Sequence, residues 1–119
     1  MLKKKYRFHS RGGVRYVYQH GKTVRQQQVA LIFVPNTKGY TRFSVVVSKK
    51  VEKSAVGRNR IRRRVYEALR LNLDAIPDKM DYVFVVYSKE VMKMSFSTLQ
   101  EKIGKLIDES KVCYNKRNG

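Results

Sequence analysis

Cysteine is almost absent from this 119-residue sequence, with Cys113 standing alone. No internal disulfide can form and no cysteine-based zinc site can be assembled, which suits a reducing compartment. A lone thiol beside a basic C-terminal tail reads as a bystander. Long apolar runs are also missing. No segment approaches the roughly 20 consecutive apolar residues of a spanning helix, and Met1, Leu2, Lys3, Lys4 and Lys5 lead into polar sequence, not the apolar stretch of a signal peptide. A cytoplasmic protein with no membrane partner is expected. Carboxylates are scarce as well, and a self-contained metal nuclease needs several converging on two Mg²⁺ ions. The nearest grouping, Asp74, Asp78 and Asp81 around Pro77, reads as helix-end and turn residues. His9 and His20 have no neighbouring carboxylate to orient them as a general acid and base. No catalytic residue, no protein-bound metal and no small-molecule substrate are therefore expected.

What the chain has in excess is positive charge: 27 Lys plus Arg against 9 Asp plus Glu leave a formal net charge of +18. Such a field attracts polyanions and speeds their association. A 42% hydrophobic content is enough for one modest core, so residues 1–119 form a single domain with basic tails. Val14, Val17 and Tyr18 recur at the spacing of a short amphipathic helix ending near Gly21. Residues 29–34 form an apolar run closed by Pro35 and Asn36, suited to a strand buried on both faces. Residues 42–48 alternate, with Phe43, Val45 and Val47 on one side. From about Ser54 to Leu73 the period becomes helical, placing Ile61, Val65, Ala68 and Leu69 in one stripe. Residues 82–87 read as a central strand. Phe96, Leu99, Ile103, Leu106 and Ile107 mark a last helix, its start signalled by Ser97 with Gln100 in capping-box spacing, and a frayed tail follows Lys111. This order points to an α+β layer in which helices cover one face of a small sheet.

The chemistry concentrates on the second helix. Arg58, Asn59, Arg60, Ile61, Arg62, Arg63 and Arg64 crowd cations where the helix dipole is also positive, an arrangement that helix stability alone disfavours. With Ile61 turned to the core, Asn59, Arg60, Arg63 and Arg70 fall on the opposite side, while Arg62 and Arg64 flank the apolar stripe. Guanidinium forks bind phosphate oxygens in pairs and stack on bases, so this ridge is suited to gripping folded RNA by its backbone. Ser48, Lys49 and Lys50, at the end of the alternating strand, extend the basic patch.

The ordered pair Val47, Ser48, Lys49, Lys50 and then Arg58, Asn59, Arg60, Ile61, Arg62, Arg63 resembles the signature of the bacterial ribonuclease P protein subunit, including its RNR motif. The likeness runs from about Lys3 to Ser110. It implies a four-stranded mixed sheet and an unusual left-handed βαβ crossover carrying the RNR helix. It also implies an auxiliary role in tRNA 5′ maturation. The partner RNA hydrolyses the phosphodiester with Mg²⁺, while the protein contacts ribonuclease P RNA and the 5′ leader of precursor tRNA. On this resemblance Ser48, Lys49, Lys50, Arg58, Asn59, Arg60, Arg62 and Arg63 would touch RNA, and Val14 and Tyr18 would face the leader. Tyr18 could stack on a base and Val14 could only pack, although hydrophobic core explains their spacing equally well. A structural RNA-binding protein, such as a ribosomal protein or RNA chaperone, is the alternative that charge alone leaves open. A duplex-DNA reader is less well supported, since neither helix-turn-helix spacing nor a zinc pattern is present.

Overall fold

The computed structural model describes residues 11–36, 40–72 and 79–118. Its elements run α1 (Arg11–His20), β1 (Lys22–Arg25), β2 (Val29–Pro35), β3 (Arg42–Val47), α2 (Ala55–Arg70), β4 (Met80–Val86), α3 (Glu90–Lys93) and α4 (Phe96–Asn118). The strands form one four-stranded sheet in the order β1-β2-β4-β3. β2 pairs antiparallel with both β1 and β4, and β3 pairs parallel with β4. The mixed α+β architecture matches expectation, with α2 lying in the connection between the two parallel strands.

The alternation of the central strands explains how the sheet is covered. Val29, Leu31 and Phe33 of β2, Phe43, Val45 and Val47 of β3, and Tyr82, Phe84 and Val86 of β4 all contribute to the main core. That core is completed by Ile61, Val65, Ala68 and Leu69 of α2 and by Leu99, Ile103, Leu106 and Ile107 of α4. Tyr82 sits at its centre, its ring centroid 5.8 Å from Phe43 and 6.3 Å from both Phe33 and Phe84. The intervening residues point the other way, and there Val17 of α1 closes over Ile32, Val34 and Val83. Helices on one face thus describes α2 and α4 but not α1. An apolar run with both faces buried needs a cover on each side, and α1 supplies the second.

Other differences are local. β1 carries a single buried residue, Val24, which is too little pattern to read as a strand from sequence. α4 is capped by Ser95, not Ser97: the Ser95 hydroxyl accepts from the Thr98 backbone N–H at 3.2 Å, leaving Ser97 inside the first turn. The helix also continues to Asn118, past the tail assigned after Lys111. α2 begins as read, with Ser54 accepting from the Gly57 N–H at 3.1 Å, and ends at Arg70. The close of α1 explains Gly21. A Cβ there would lie 2.5 Å from the Val17 carbonyl oxygen and 2.9 Å from that of Phe33, both backbone atoms.

Candidate nucleic-acid interface

Helical geometry distributes the α2 cations as their spacing requires. Asn59, Arg60, Arg63 and Arg70 are exposed, Arg62 and Arg64 are half-buried at the edges of the stripe, and Ile61 is 1% exposed. Local bonding then divides the arginines into two groups. Arg58 donates to the carbonyls of Glu52 and Lys53 at 3.0 and 2.8 Å, and so ties the preceding loop to the first turn of α2. Arg64 donates to the Met94 carbonyl and lies 6.0 Å over the Phe96 ring, joining α2 to the start of α4. Arg70 pairs with Glu67 at 3.1 Å on an exposed surface, and Arg62 donates to the Asn59 side-chain oxygen at 2.5 Å. Arg60 and Arg63 make no hydrogen bond or ion pair among the described residues, so their forks point to solvent.

The neighbouring basic loop is held from beneath. Ser48, Lys49 and Lys50 are exposed in a turn where the Ser48 carbonyl accepts from the Val51 and Glu52 N–H groups. Glu52 accepts from the Ser54 N–H at 3.1 Å and pairs with Lys89 at 3.6 Å. The Ser54 bond, and then the Lys89 charge, hold this carboxyl below its usual range. Glu52 is thus engaged with Ser54 and Lys89, while Lys49 and Lys50 are exposed. Loop and helix both present exposed cations, Lys49 and Lys50 on the one and Arg60 and Arg63 on the other.

The opposite face of the sheet carries a second feature. Val14 is half-buried there beside Val46 and Val85, while Tyr18 is 47% exposed at the margin of α1. Tyr87 is equally open, and Arg25 of β1 lies 6.0 Å from its ring centroid. Partial burial raises the Tyr18 phenol pKa, and the charge that the nearby Tyr87 phenol would carry raises it further. Val14 and Tyr18 are thus brought together with two residues that sequence reasoning missed. Tyr87 was accessible to that reasoning, because period-two alternation puts it on the side of Val83 and Val85. Arg25 gave no signal, since β1 itself gave none.

The acidic candidates separate. Asp81 is a strand residue, not part of a turn, and it accepts from Arg42 at 3.0 and 2.8 Å and from the Asn36 side-chain amide at 2.8 Å. Its carboxylate is occupied in holding β3 to β4, where Arg42 and Asp81 are register partners. Asp74 and Asp78, like His9, lie outside the described residues. His20 ends α1, with its ring 4.4 Å from that of Tyr16. Among the described residues no group of three His, Cys, Asp or Glu could hold a metal ion, and no helix is long and apolar enough to cross a membrane.

The family model for ribonuclease P matches residues 2–111. The ribonuclease P protein component of Thermoanaerobacter sp. (strain X514) is 38% identical over 89% of this chain and 84% of its own length. That of Clostridioides difficile (strain 630) is 37% identical over 82% of this chain and 85% of its own. The ribonuclease P protein from Thermotoga maritima superposes with a TM-score of 0.77 at 27% identity, covering 87% of this chain and 96% of that one. The chain belongs to the ribonuclease P protein component family, a subunit of a tRNA-processing endoribonuclease.

Proposed function

We propose that this protein grips ribonuclease P RNA with the cationic surface of α2 and the loop before it, and receives the 5′ leader of precursor tRNA across the opposite face of the sheet. The observation that carries this reading is the sorting of the arginines. Arg58 and Arg64 are used up in holding the structure, while Arg60 and Arg63 are exposed without a partner among the described residues, as Lys49 and Lys50 are exposed in the preceding loop. Unpaired guanidinium forks beside like charges are unfavourable until phosphate oxygens occupy them. On the other face, Val14, Tyr18 and Tyr87 offer apolar and aromatic surface with Arg25 alongside, suited to unpaired bases that stack on rings. Hydrolysis belongs to the RNA with its Mg²⁺ ions. The protein supplies affinity and orientation, since its carboxylates are few and Asp81 is committed to Arg42.

Cleavage of a 5′-labelled precursor tRNA at low Mg²⁺ tests the assignment. Protein alone, a bacterial ribonuclease P RNA alone, and the two together are compared. Efficient production of mature 5′ ends by the mixture only is the expected result. Cleavage by protein alone would reveal an active site of its own, and a mixture no better than the RNA would favour a purely structural RNA-binding role.

A further inference from the structure

The flank of α1 opposite Tyr18 is not part of either surface described above, yet it carries an aromatic pair. Tyr16 and His20, one helical turn apart, stack with ring centroids 4.4 Å apart and planes inclined by 35°. Both are exposed, and Tyr16 retains 51% of its surface in solvent. Val17, which is completely buried, fixes the rotation of α1, and at about 100° per residue it places both rings on one flank of the helix, opposite the flank that carries Tyr18. Neither ring contributes to a core cluster.

The sequence around the pair keeps it open. A helical side chain leans back over the turn before it, so His20 reaches Tyr16 and Tyr16 reaches the turn containing Gly12 and Gly13. Two successive glycines inside a helix each cost roughly 1 kcal/mol relative to alanine. Gly13 itself brings no side chain to that turn. Arg15, Gln19 and Lys22 are exposed nearby on α1 and at the start of β1. An aromatic ledge of this kind, bordered by cations and a neutral amide, has the composition of a single-strand stacking platform.

We propose that Tyr16 and His20 form a second base-stacking site, on the flank of α1 opposite Tyr18, which takes an unpaired segment of RNA. This rests on the RNA-binding reading above but on different residues. Charge selects the occupant: a strand carrying one phosphate per base complements Arg15 and Lys22, and its unstacked bases match the rings. The segment can come from the leader of precursor tRNA or from a single-stranded stretch of the RNA subunit.

The test uses the full chain and fluorescently labelled oligoadenylate as the probe. Tyr16→Ala is expected to weaken its binding at least about fivefold, the lower end of what removal of one stacking ring causes, while Tyr16→Phe stays within about twofold. Thermal unfolding of both variants at the temperature of the unchanged chain shows that α1 remains docked, as an exposed ring predicts. Holoenzyme assays then separate the sources. A loss seen with a long-leader precursor and absent with a leaderless one assigns the strand to the leader, whereas a loss in assembly with the RNA subunit assigns it to that RNA. If Tyr16→Ala binds oligoadenylate, precursor and RNA subunit as well as the unchanged chain, the site is refuted. Should Arg60→Glu/Arg63→Glu weaken assembly in that case, the main reading survives without it.

Discussion

Arg60 and Arg63 differ from the other arginines of α2 in making no hydrogen bond or ion pair among the described residues. Each phosphate that the protein no longer neutralises takes about one counterion out of the salt dependence of binding. Arg60→Glu/Arg63→Glu is therefore expected to weaken assembly with the RNA subunit and to lower the slope of log affinity against log salt by about 2. Filter binding between roughly 50 and 200 mM salt measures it, and an unchanged slope would take both residues out of the interface. Asp81 makes the opposite case. Its side chain is 7% exposed and receives a bidentate Arg42, so Asp81→Ala removes the carboxylate that pairs this guanidinium and one acceptor of the Asn36 amide. A loss of about 2–4 kcal/mol is expected in urea unfolding, since removing one partner strands the other charge. Loss of cleavage without loss of stability would contradict the structural assignment.

At the scale of elements, contacts between helices and loops decide how the basic surface is presented. Arg64 joins α2 to the α3–α4 corner through the Met94 carbonyl and the Phe96 ring. Arg64→Ala is expected to lower stability by about 1–3 kcal/mol while leaving the salt slope of RNA binding unchanged. Chemical denaturation and salt titration on the same variant report the two quantities separately. The loop before α2 depends on Glu52, whose folded-state carboxyl titrates below its usual range. A depressed carboxyl contributes above its unfolded pKa and loses that contribution as pH falls through the folded value. Protection of the Ser54 amide from hydrogen exchange should therefore persist at neutral pH and drop below the ordinary carboxylate range. Glu52→Gln should remove most of that pH dependence.

For the molecule as a whole, a net charge of +18 on 119 residues sets the dominant response to solution conditions. Self-repulsion weakens the compact state, and polyanions that bind only the folded form stabilise it. Saturating RNA at about 100 times its Kd should add about 2.7 kcal/mol at moderate salt, read as a rise in Tm, and high salt should erase the gain by weakening binding. A Tm indifferent to RNA at low salt would mean that the cationic surface does not engage it in the folded state.

How much of this was legible beforehand follows from where the information resides. The α2 ridge could be read in full because helical period is a local property. Once Ile61 points inward, the directions of Asn59, Arg60, Arg63 and Arg70 follow from about 100° per residue. The three apolar strands could be read for the same reason, and so could the Ser54 start of α2. β1 could not, because an edge strand with one buried residue owes its conformation to pairing with β2. The same limit applied to α1. Its amphipathic stripe showed that Val17 needs a partner, but only the pairing of β2 with β4 created the surface of Ile32, Val34 and Val83 that it covers. Composition and local spacing thus determined the strong positive charge, the helical cationic ridge and the fold class. Tertiary structure alone decided which arginines remain available and which residues meet across the sheet, because hydrogen bonds such as Arg64 to Met94 and Asp81 to Arg42 join positions 30 and 39 residues apart.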